Sequence, residues 1–153
     1  MPSTVASSGV VTSPHGPAVE SALAALNEFL AALNSHDVRR WAETLHYPHI
    51  RIHEGAVTVW GDAETYVREA EPELAQLLST GWVRSVWESV TVVQAAPAQV
   101  HAQVRFLRLD QHGRRLGVFD SIYVLTHRDG RWGVLARIGF DAGATAVEAP
   151  GGD

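Results

Sequence analysis

The chain contains no cysteine. That absence removes disulfides, thiolate nucleophiles and cysteine-based zinc sites together, and it fits a cytoplasmic protein. No apolar run reaches membrane-spanning length, so no membrane association is expected. The opening stretch, MPSTVASSGVVTSPHGP, has neither a basic start nor a continuous apolar core, so no secretory signal is expected in it. Positive charge is also scarce. The formal net charge is −5, and the arginines are scattered apart from Arg39-Arg40 and Arg114-Arg115. A nucleic-acid partner needs a basic stripe and is not expected. Gly-rich phosphate loops, Gly-x-Ser-x-Gly and His-Glu-x-x-His are missing as well. No nucleotide cofactor and no serine-hydrolase mechanism is therefore supported, and no cofactor is expected.

What is present describes one folded domain. The length of 153 residues suits a single unit, and 46% hydrophobic residues supply a core. Five tryptophans are more than solubility requires, so some should line a core edge or a pocket. Ser, Thr, Pro and Gly dominate residues 1–17, and small or acidic residues dominate 142–153. Both read as flexible tails around a domain over 18–141.

The first half of the domain has helical spacing. Leu23, Leu26, Leu30 and Leu33, with Phe29, mark one apolar face. Asn34-Ser35-His36-Asp37 ends that helix and caps the next, whose stripe is Val38, Trp41, Ala42 and Leu45. After Pro48, His49-Ile50-Arg51-Ile52-His53 alternates, Glu54-Gly55 turns, and Val57-Thr58-Val59-Trp60 returns, which is a hairpin. Asp62 caps a third helix with Tyr66, Val67, Ala70, Leu74, Leu77 and Leu78 inward. Pro72 kinks or splits it, and Gly81 stops it. From Trp82 onward the chain reads as four long strands. Their short turns, including Asp129-Gly130, make an antiparallel meander that should curl under the helices. The fold class is α+β.

This order resembles the NTF2-like superfamily, which includes SnoaL-like polyketide cyclases and ketosteroid isomerases. The likeness rests on Ala25-Leu26-Asn27 through Asn34-Ser35-His36-Asp37-Val38, on Leu45-His46-Tyr47-Pro48-His49-Ile50-Arg51-Ile52-His53-Glu54, and on His127-Arg128-Asp129-Gly130-Arg131-Trp132. It spans roughly residues 20–141. It implies a cone: helices packed on a strongly curved, mainly antiparallel sheet, with a cavity between them. Fold alone implies no chemistry, because the superfamily holds isomerases, cyclases, dehydratases, epoxide hydrolases and non-catalytic binding modules.

Several residues are candidates for chemistry. His46, His49 and His53 suggest a metal, but His49 and His53 sit roughly 13 Å apart along a strand, so no metal site is expected. His53-Glu54 resembles the family's strand-end His-Asp pair and would move a proton. Counting back from Asp129-Gly130, Tyr123 falls where the resemblance places a cyclase's catalytic Asp. A phenol there would donate to a substrate oxyanion, with Arg137 on the facing strand. The alternation leaves two assignments. Either Phe119, Ser121, Tyr123, Leu135 and Arg137 face the cavity, or the Trp132/Val134/Ile138 face does and Asp120 supplies the acid. His49, Trp60, Trp82, Phe119, Ser121 and Leu135 are the expected ligand contacts. The resemblance thus implies a cofactor-independent acid–base enzyme, an isomerase, cyclase or dehydratase, acting on an apolar oxygenated small molecule. The rival reading is a non-catalytic binding module. Both sheet faces carry large apolar residues, so a homodimer through the outer face is expected.

Overall fold

A computed structural model of the chain describes residues 15–140. Of the tails expected over 1–17 and 142–153, residues 1–14 and 142–153 lie outside the described residues. Helix α1 runs Gly16–Asn34, so it takes in Gly16 and Pro17, which composition alone assigned to the tail. Proline suits a first turn, where its missing N–H costs nothing. The buried stripe is Ala22, Leu26, Phe29 and Ala32. Leu30 and Leu33 lie on its flank.

Helix α2 (Val38–Ala42) begins where Asp37 accepts a hydrogen bond from the Arg40 N–H. Helix α3 (Ala63–Ser79) begins the same way, with Asp62 capping the Thr65 N–H. Pro72 does not split it; the helix runs on through that residue, which is exposed. Gly81, with φ of 92°, sits just beyond the end, in a conformation that favours glycine.

The strands are β1 (Leu45–His53), β2 (Ala56–Trp60), β3 (Arg84–Ala96), β4 (Gln99–Leu109), β5 (Arg115–Arg128) and β6 (Arg131–Gly139). They form one sheet in the order β2-β1-β6-β5-β4-β3. The last four make the expected meander. The early hairpin joins the same sheet, because β1 pairs parallel to β6, with Arg51 beside Arg137. Local turn signals reveal that hairpin but not where it docks. Glu54-Gly55 and Asp129-Gly130 both have positive φ at their two central residues, the turn geometry that matches strand twist.

One irregularity decides which side chains face inward. The β5–β6 register shifts between Val124 and Leu125, so that Leu125 pairs with Val134 and Tyr123 with Arg137. Leu135 is the extra residue. Val134 therefore turns inward along with Arg137, and strict alternation fails beyond that point. The core under α1 is Leu26, Phe29, Trp41, Leu45, Tyr66, Val100, Val104, Leu125 and Val134. Asn34 fastens α1 to β3 with two bonds, its amide donating to the Ser85 carbonyl at 2.9 Å and accepting from the Ser85 N–H at 2.8 Å. No described helix is long and apolar enough to cross a membrane.

Candidate functional site

Helices and sheet do not fill the space between them. A cavity of about 340 Å³ remains. Phe29, Leu30 and Leu33 of α1, Trp41 of α2, and Leu74 and Leu77 of α3 form its apolar walls, with Trp87 and Phe106 from the sheet. Polar groups converge on the sheet side: Arg51, Arg108, Ser121, Tyr123 and Arg137. Glu73 of α3 also lines the cavity and is exposed.

Arg137 is held from behind. Its Nε–H donates to His49 Nε2 at 3.0 Å, and a terminal amino group donates to the Tyr66 hydroxyl at 3.1 Å. Arginine has no acceptor, so His49 Nε2 must carry a lone pair and Nδ1 the proton. That Nδ1–H then donates to the Val134 carbonyl at 3.1 Å. Burial and the adjacent Arg137 charge push the His49 pKa down to about 3. His49 is therefore neutral and fully enclosed, and its work is to orient Arg137. The guanidinium also lies 5.5 Å from the Trp41 ring centroid and 5.8 Å from that of Phe29, within cation–π range.

Tyr123 lies beside Arg137 on β5 and packs edge-on against Phe29 and Trp87. Its ring is buried, yet its hydroxyl makes no hydrogen bond with a described residue. Burial pushes its pKa up to about 12, opposed by the charge of Arg137, so the phenol keeps its proton and can donate it in a hydrogen bond.

Of the expected site residues, the structure brings Tyr123, Arg137 and Ser121 together on the cavity wall. The assignment with Trp132 and Ile138 inside, and Asp120 as the cavity acid, does not hold. Asp120 points to the other side and takes two bonds from Arg105, at 3.0 and 3.2 Å. His53 is not in the lining, but its ring comes within 3.7 Å of where a side chain on Gly139 would begin, next to Ser121. Glu54 occupies the exposed β1–β2 turn.

Four expected contacts stand behind the wall, not on it. His49 orients Arg137. Trp60 is buried and donates to Glu69 at 2.9 Å. Trp82 is buried and donates to the Ser85 hydroxyl at 3.0 Å. Phe119 stacks on Phe106 and underlies the Arg108 guanidinium at 4.3 Å. Leu135, displaced by the bulge, does not line the cavity. Sequence reasoning missed Arg51, Arg108, Glu73 and Trp87. Arg51 had a signal: it shares the alternation of His49 and His53. No group of acids and histidines with metal-binding geometry occurs among the described residues.

Comparison with known proteins supplies the lineage. The model of a family described as NTF2-like protein (DUF6841) matches residues 20–139. Among solved structures, an NTF2-like protein with a cystatin-like fold from Novosphingobium aromaticivorans superposes with a TM-score of 0.67 at 11% identity, covering 84% of each chain. A ketosteroid isomerase-like protein from Erwinia carotovora atroseptica gives 0.63 at 12% identity, covering 85% of this chain and 99% of its own. Aln2 from a Streptomyces species gives 0.64 at 15% identity, covering 83% and 92%. At such identities the likeness is one of fold. No curated protein matches the sequence.

Proposed function

Because this chain belongs to the NTF2-like family DUF6841, we propose that its cone cavity binds an apolar oxygenated small molecule and polarises one of its oxygens. The observation that carries this reading is the pair Tyr123–Arg137. One offers an unanswered hydroxyl, and the other offers a charge fixed by His49 and Tyr66, side by side under aromatic walls. Donors held in place before a substrate arrives need no reorganisation when negative charge develops on its oxygen. The reaction class is cofactor-independent acid–base chemistry: isomerisation, cyclisation or dehydration.

Such a reaction also needs a proton acceptor. Among the described lining residues Glu73 is the carboxylate available, and His53 stands next to the cavity behind Gly139. This moves the role expected of the His53-Glu54 pair toward α3. Exchange of the α-protons of an aryl ketone such as tetralone into deuterated water tests the proposal. The protein should accelerate exchange over buffer, and Tyr123→Phe should lower the rate by about 10²-fold, the usual effect of losing one oxyanion donor. Glu73→Gln should lower it too. Exchange no faster than in buffer would favour the second reading, a non-catalytic binding module. That reading has its own support: no histidine is among the described lining residues, and the carboxylate there is exposed to water.

A further inference from the structure

Three arginines face one cavity. Arg51, Arg108 and Arg137 all line it, and Glu73 is the single carboxylate among the described lining residues, which leaves two positive charges uncompensated in a chain whose net charge is −5. Elsewhere Arg39, Arg40 and Arg105 each have a carboxylate partner. The cavity arginines have none among the described residues. Arg137 gives two of its donors to neutral groups, His49 and Tyr66. Arg108 rests on the Phe119 ring, and neither the Arg51 nor the Arg108 guanidinium makes a hydrogen bond or ion pair with a described residue.

The three charges also feel one another. Burial, and after it the charge of Arg137, makes the positive form of Arg51 less favourable; burial and Arg51 do the same to Arg108. A lysine so placed would shed its proton, but a guanidinium does not, so the repulsion persists. Placing three like charges on one partly enclosed wall destabilises the empty protein. A negative ligand removes that cost and satisfies the idle N–H donors together.

We propose that the cavity takes an amphipathic small molecule with an oxyanion head, carboxylate or phosphate. Arg51, Arg108 and Arg137 hold the head, while an apolar body lies against Phe29, Leu33 and Trp87. This rests on the cavity being the ligand site and adds the charge class of the ligand. Carboxylate and phosphate share the chemistry that arginine reads, paired N–H donors to oxygens.

Calorimetric titration of the full chain at low salt, with phenylbutyrate, phenylpropyl phosphate and phenylbutanol, tests it. At least one oxyanion should bind about tenfold or more tightly than the alcohol, and the better of the two identifies the head group. Arg51→Gln and Arg108→Gln should each remove most of that preference, lowering the oxyanion's affinity far more than the alcohol's. Arg108→Gln should also leave the melting temperature of the ligand-free protein unchanged or higher, because an unpaired charge has gone; this separates lost recognition from a damaged fold. Equal or tighter binding of the alcohol would overturn the oxyanion head while leaving the cavity as the ligand site. Oxyanion binding that survives both substitutions would overturn the arginine assignment. Binding of none of the three would sink both the oxyanion site and the cavity reading.

Discussion

Tyr123 is buried with a hydroxyl that no described residue answers, which makes its removal informative. A hydroxyl that opens on the cavity and bonds no described residue contributes little to folding, so Tyr123→Phe should leave the urea midpoint where it is or raise it slightly. A clear drop would show that the hydroxyl is structurally engaged. His49 and His46 make a pH prediction. Burial, aided by neighbouring arginines, pushes their pKa values down to about 3 and about 4. The unfolded chain takes up protons on these histidines near pH 6.5, while the folded chain does not. Stability is thus fullest above that pH and is lost as pH falls toward 4, by about 1.4 kcal/mol per pH unit for each histidine. Urea unfolding at pH 7 and pH 5 should show the loss, and His49→Gln should reduce it. A flat midpoint across that window would contradict the neutral, enclosed state of both rings. These residues were only partly legible in the sequence. Tyr123 and Arg137 emerged from register, because hairpin turns fix which strand positions meet. His49 had no such signal, since its role depends on a contact with Arg137 that closes only when β1 docks on β6.

At the scale of elements, the short helix α2 tests the packing. Trp41 is buried and meets Phe29 and Tyr66 edge to face, at 6.2 and 5.4 Å between centroids. Truncation there leaves a void that the α1–α3 wall cannot easily close. Trp41→Ala should cost about 3–5 kcal/mol in chemical denaturation, and a neutral result would mean that α2 is peripheral. Caps and turns were legible because each is a local statement: Asp37 and Asp62 cap as their positions imply, and Asp129-Gly130 turns as its composition implies; the end of α2 was not, since Leu45, read into its stripe, opens β1. The β5–β6 bulge at Leu135 was not, because nothing in the alternation of a single strand shows an extra residue against its neighbour. The docking of β1 beside β6 escaped for the same reason, being a pairing between residues far apart in the chain, such as Arg51 and Arg137. That docking brings Arg51 next to Arg137 and completes the arginine wall.

For the whole molecule, two faces of one sheet divide the labour. The inner face holds the cavity. The outer face carries Val57 and Val59 of β2, 63% and 57% exposed, opposite Ile52 and Ile50 of β1. A second copy through a twofold contact is the proposed cover for that apolar surface. Light scattering at tens of micromolar, roughly the range where a specific interface holds, should return a dimer, and Val59→Lys should shift it toward monomer; a monomeric parent chain would contradict the proposal. Ligand binding at the inner face is directly measurable through the five tryptophans. Trp41 and Trp87 line the cavity, whereas Trp60, Trp82 and Trp132 do not. Titration of nitrogen-labelled protein with phenylbutyrate, followed through the indole N–H signals, should move Trp41 and Trp87 together with the Arg137 Nε–H and leave Trp132 in place. Shifts confined to Trp132, or no shifts at all, would contradict the account.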